Sequence, residues 1–97
     1  MTRRVDGNEL IIADADGGRW VFSIESERLR DGGFVHPLDI IVDLDDAGRP
    51  CVAVIPAKEA RAARTQPFAS RAEAERACRS VRAVLEAELR ELLGDEN

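Results

Sequence analysis

Hydrophobic positions alternate with period two through the first half of the chain and recur at the helical period through its last quarter. Glu9-Leu10-Ile11-Ile12-Ala13-Asp14 predicts a first strand. Asp14-Ala15-Asp16-Gly17-Gly18 carries turn chemistry, since Asp-Gly readily adopts positive φ. Arg19 to Glu25 then alternates cleanly, with Trp20, Phe22 and Ile24 on one face and Arg19, Val21, Ser23 and Glu25 on the other. Ser26 to Gly33 is polar and turn-rich, with only Leu29 suited to tuck inward. A third strand is expected from about Phe34 to Leu44. His36-Pro37 near its start suggests a sheet edge or a bulge, because proline has no ladder donor. Leu38, Ile40, Val42 and Leu44 share one face of it, and Asp39, Ile41, Asp43 and Asp45 the other. Asp45-Asp46-Ala47-Gly48-Arg49 reads as a short hairpin loop with Gly48 in the left-handed position. Pro50 to Ile55 is a fourth strand, apolar on both faces and hence expected to be covered on both.

The period changes after Pro56. Residues 57–65 are rich in Ala, Glu, Lys and Arg and predict a short, exposed helix that Pro67 stops. Ser70 caps a second helix, and Glu73 three residues later completes a capping box. Ala74, Cys78, Val81, Leu85, Leu89 and Leu92 form one apolar stripe, with Ala77, Val84 and Leu93 at its margins. Gly94 ends the helix. The expected architecture is a single α+β domain over residues 1–97. It is a four-stranded, mainly antiparallel β-meander over about 9–56, a short helix over about 57–65 and a long helix over about 70–93 packed on one face of the sheet.

Composition narrows the class. The chain is 44% hydrophobic and 34% charged, which is globular rather than disordered. It has one Trp, three Phe and no Tyr, so the core must be largely aliphatic. No apolar run approaches the ~18–20 residues that span a bilayer. The basic start Met1-Thr2-Arg3-Arg4 leads into Val5-Asp6-Gly7-Asn8-Glu9 instead of an apolar segment, so neither a signal peptide nor a membrane partner is expected, and the protein reads as cytoplasmic. Cys51 and Cys78, without a CxxC spacing or a neighbouring His, read as two reduced, buried thiols. The net charge is −5. The whole excess lies in residues 1–56, with eleven acids against six bases; the remainder holds eight of each. An acidic chain is poorly suited to general nucleic-acid binding, which needs positive surface to displace counterions.

Catalytic and metal chemistry find little support in the pattern. Asp14-x-Asp16-Gly17 with Glu25 superficially resembles a calcium loop. Arg19 stands where such a loop needs glycine, however, and Trp20-Val21-Phe22 belongs to a strand. His36 is the single histidine. The serines have no nucleophile-elbow context, and Ser70 is accounted for as a cap. Gly17-Gly18 and Gly32-Gly33 precede strands instead of a strand-to-helix phosphate loop. No catalytic residue, cofactor or metal is assigned, and an enzyme is not expected.

Three surfaces remain. Asp39, Asp43 and Asp45 alternate along the third strand and Asp46 continues into the turn. This stripe serves either edge protection or docking of a basic protein partner. Lys58, Arg61 and Arg64 fall on one side of a short helix, with Arg71 nearby, as a possible anion contact or simply a solvated face. The long helix, ~36 Å over residues 70–93, exceeds strands of ~20–23 Å. Leu85, Leu89, Leu92 and Leu93 should therefore overhang and meet a partner, most simply in a homodimer, unless the helix crosses the sheet diagonally or Leu29 and the 26–37 connection cover its end. The functional expectation is a small non-enzymatic regulator or inhibitor that binds another protein. Its size and charge suit the inhibitors carried by phages and mobile elements, such as anti-CRISPR proteins. The alternatives are a nucleic-acid-associated module using the basic 58–71 region, or a small ligand-binding domain or enzyme.

Overall fold

Backbone pairing begins earlier than the alternation suggests. The structure, a computed structural model, describes residues 3–31 and 38–92. Arg3–Asp6 form β1, which turns through Gly7 at φ +63° into β2 (Glu9–Ala13). β2 turns in turn into β3 (Arg19–Ile24), with Leu10 opposite Phe22 and Ile12 opposite Trp20. β1 has a single apolar residue, Val5, which packs against the core, so its alternation is too short to register in the sequence. The turn pair Gly7-Asn8 was the available signal.

Ser26 caps a single helical turn, α1 (Glu27–Arg30), its hydroxyl accepting from the Arg28 N–H at 3.1 Å. The turn places Leu29 fully in the core. β4 (Leu38–Leu44) and β5 (Pro50–Pro56) form the expected hairpin, with Gly48 at φ +79°. The prolines bracket β5 opposite Leu44 and Leu38.

The next segment departs from expectation. Residues 57–65 are not helical. A turn at Pro56–Glu59 holds Lys58 at φ +71°, and Ala63–Thr65 form a three-residue strand, β6. β6 lies between β3 and β5, antiparallel to both, so the sheet runs β1-β2-β3-β6-β5-β4. The described residues thus form six strands instead of a four-stranded meander. Helix propensity loses here for a physical reason. A helix over 57–65 has no large apolar side chain to bury, whereas an extended segment satisfies open backbone on both neighbouring strands. Ala62 and Ala63 are fully buried because only small side chains fit where the two halves of the sheet meet. The Thr65 hydroxyl extends the seam by accepting from the Val52 N–H at 3.0 Å.

α2 (Arg71–Leu92) packs across one face, touching β4, β5 and β2. Its start is fixed as expected. The Glu73 N–H donates to the Ser70 hydroxyl at 3.2 Å, and the Glu73 carboxylate accepts from the Ala69 N–H. Ala77, Cys78, Val81, Val84 and Leu85 are buried in one cluster with Leu10, Ile12, Phe22, Ile40, Val52 and Val54, and Ala74 is buried as well. Near the other end, Glu88 pairs with Arg3 on β1. The helix therefore runs diagonally from the β4–β5 side to the β1–β2 side. Six strands about 4.8 Å apart give it about 24 Å of sheet width to cross as well as strand length. Leu85, expected to overhang, is thus buried in the chain's own core, and Leu89 is half-buried. No helix among the described residues is long and apolar enough to cross a membrane.

The seam yields a direct test. Thr65→Val keeps side-chain shape but leaves the Val52 N–H without its acceptor. We expect a loss of about 1–3 kcal/mol in denaturant unfolding with an unchanged m-value, whereas Thr65→Ser should retain most of the stability.

Candidate docking surface

β4 is the edge strand beside β5, and its backbone polarity follows from the hairpin. The Asp45 N–H donates to the Arg49 carbonyl at 2.9 Å, closing the loop end of the ladder. Bonded and non-bonded pairs alternate from there. Asp43, Ile41 and Asp39 therefore turn their N–H and C=O groups toward β5, while Leu44, Val42 and Ile40 turn theirs outward. Pro50 and Pro56, opposite Leu44 and Leu38, fall at pairs where β4 makes no ladder bond, so they cost it nothing.

Side chains cap both ends of this open edge. The Ile40 carbonyl accepts from the Arg82 guanidinium and from the Cys78 thiol at 3.5 Å. The Leu44 N–H donates to the Asp43 carboxylate at 2.8 Å, and the Leu44 carbonyl accepts from Arg64 at 3.5 Å. Val42, between them, has its outward groups uncapped among the described residues. β4 is outermost in the sheet, while His36 and Pro37, whose pairing suggested an edge or a bulge, lie outside the described residues.

The acidic residues divide into two kinds. Asp39 is exposed and Asp43 half-buried on the sheet face away from α2, with Ile41 between them at 39% exposure. Asp46 stands at the loop tip, its side chain 95% exposed and 4.0 Å from Arg61. Asp45, by contrast, is committed to the turn. One carboxylate oxygen accepts from the Ala47 and Arg49 N–H groups at 3.0 and 2.8 Å, and the other from the Arg49 guanidinium at 3.1 Å. The Arg49 backbone N–H above all holds its carboxyl below the usual aspartate value. Asp45 is a turn-forming residue first.

Beside the edge runs a groove of about 340 Å³ between β4 and the first half of α2. Ile40, Ile41 and Val42 line one wall; Arg71, Glu75, Cys78, Arg79 and Arg82 line the other. These arginines belong to the polar face of the helix, and nothing in the sequence tied them to β4. The contact became visible only once the helix crossing was known. A second groove of about 360 Å³ lies on the other flank of α2, lined by Trp20, Phe68, Glu73, Arg76, Ala77 and Ser80.

The proposed basic cluster is not assembled. Without a helix over 57–65, Lys58 sits in a turn, Arg61 faces Asp46, Arg64 lies on the open sheet face 3.5 Å from Glu25, and Arg71 pairs with Glu75 at 3.1 Å. Each arginine of the set thus has a carboxylate neighbour. Of the leucine set, Leu85 and Leu89 are placed above; the side chain of Leu92 and all of Leu93 lie outside the described residues. Cys51 and Cys78 are free and buried. Burial pushes the Cys51 thiol up, which suits a packing role.

Asp45 sets a pH dependence with a defined sign. Its folded pKa is lowered, so its contribution to stability is complete above the ordinary value of 3.8 and is lost as pH falls below it. Thermal unfolding followed from pH 5 to pH 3 should show a fall in Tm, part of which disappears in Asp45→Asn. Lysine at Asp39 and Asp43 should leave Tm nearly unchanged at neutral pH, while Asp45→Lys lowers it. No protein-family model, curated protein or solved structure matches this chain.

Proposed function

We propose that this chain is a non-enzymatic regulator that docks on a partner protein with a basic surface, using β4 and the hairpin tip that follows it. One observation carries the reading. Among the described residues, the two large hydrophobic side chains that stand exposed, Ile41 at 39% and Leu44 at 49%, both lie on β4. Asp39 and Asp43 share the face of Ile41, and Asp46 stands at the hairpin tip just beyond Leu44, so the exposed apolar surface of this strand lies beside acidic side chains. Protein interfaces commonly have this composition. Covering what remains of each side chain contributes about 1 kcal/mol at ~25 cal/mol per Å². The aspartates add steering toward a positive surface and reject acidic ones.

The alternative of nucleic-acid association rested on a basic helical face over 58–71. That stretch is now a turn and a strand, with its arginines beside carboxylates. Salt-sensitive binding of nucleic acid to the purified protein would revive it.

The test compares captured partners. The wild-type chain, the Asp39→Lys/Asp43→Lys variant and a Glu86→Lys control on the exposed side of α2 are each used as bait in native-host extract. We expect one or more proteins to be retained by wild type and control and lost with the double variant. Identical recovery with all three overturns the assignment of β4.

A further inference from the structure

Resting on that docking surface, we propose that the partner binds by adding an extended strand antiparallel to β4, with basic side chains on the sheet face away from α2 and apolar ones in the groove beside α2. Three observations converge on this geometry. First, Ile41 and Leu44 are exposed on opposite faces of the same strand. A partner lying flat on one face covers one of them, whereas a partner that straddles the edge reaches both. Second, the middle of the edge is open at Val42, while Arg82 and Asp43 cap the positions on either side. Edge strands with unpaired N–H and C=O groups are templates for pairing. Third, a groove of about 340 Å³ opens beside β4 itself, between Ile40, Ile41 and Val42 and the first half of α2, so side chains on the α2 face of an added strand have space next to it.

Charge decides the occupant. A second copy pairing β4 with β4 about a two-fold axis has only two central registers that keep the faces matched. An axis through Ile41 sets Asp39 directly opposite the copy's Asp43. An axis through Val42 makes the two Asp43 side chains diagonal neighbours. Like charges facing across strands are destabilising. A strand with lysine or arginine at alternate positions meets Asp39 and Asp43 with opposite charge instead, and its intervening residues enter the groove.

The probe is a seven-residue peptide of alternating valine and lysine, the length of β4. Directly opposed residues of an antiparallel pair share a face and a backbone direction. The valine amides of the bound peptide therefore point at β4 and the lysine amides point away. Isothermal titration and amide hydrogen exchange should show saturable binding and slowed exchange at Val42. N-methylation of the valines should weaken binding about tenfold or more, while N-methylation of the lysines leaves it intact. No saturable binding, or equal binding of the two N-methylated forms, overturns strand addition. Sedimentation showing a free-protein dimer that Val42→Pro dissolves would hand the edge to a second copy and overturn it as well. The docking reading is tested separately by Asp39→Lys/Asp43→Lys. Its failure removes the charge dependence, whereas failure of strand addition removes only the dependence on the peptide backbone.

Discussion

The whole sheet depends on the three residues of β6. Among the described residues, Ala63–Thr65 supply the backbone that joins β3 to β5, and with them a three-stranded meander and a two-stranded hairpin become one surface. Removing that link would expose two further strand edges and the apolar backs of Phe22, Val52 and Val54. The width created by the seam also solves the problem of the long helix. Laid along four strands, α2 would project past its support; laid across six, it buries Val81 and Leu85 and still reaches Arg3 on β1. The fully buried Ala62 and Ala63 show what the seam requires of its side chains: almost no volume.

The open edge follows from the same arrangement. With β6 inserted beside β5, the opposite side of β5 is taken by β4, which is left outermost. Its ends are capped by residues from three separate elements, Arg82 on α2, Asp43 on β4 itself and Arg64 on β6. Such capping matches the way natural edges are kept from indiscriminate pairing. The uncapped stretch around Val42 is short, and Asp39 and Asp43 stand on the same strand to either side of it.

Much of this was legible in the residues. The β2–β3 and β4–β5 hairpins, the inward face of Trp20, Phe22 and Ile24, the inward Leu29, the capping box at Ser70 and Glu73, and the helix stripe from Ala74 to Leu85 all followed from period and turn chemistry. The elements that escaped share a cause. β1 offers one apolar residue in four, and β6 is the end of an alanine-rich stretch, residues 57–65, with strong helix propensity. Both owe their conformation to pairing with strands distant in the chain, which local pattern does not encode. The site was half legible for the same reason. The acidic alternation of Asp39 and Asp43 and the edge position could be read directly, whereas the diversion of Asp45 into the turn needed the hairpin geometry. The contributions of Arg82 and Arg64 to the edge needed the tertiary fold.

The seam and the helix also determine how the protein bears force. A load applied at β4 acts on one margin of the sheet, and it must cross from β5 to β3 through a junction three residues long. Such a junction would shear readily if it stood alone. α2, anchored on β4 and β5 at one end and tied to β1 at the other, spans the junction obliquely like a brace across a hinge. Tension at the edge is thereby shared with a helix whose hydrogen bonds lie along a different direction, and the narrowest part of the sheet is relieved of carrying it.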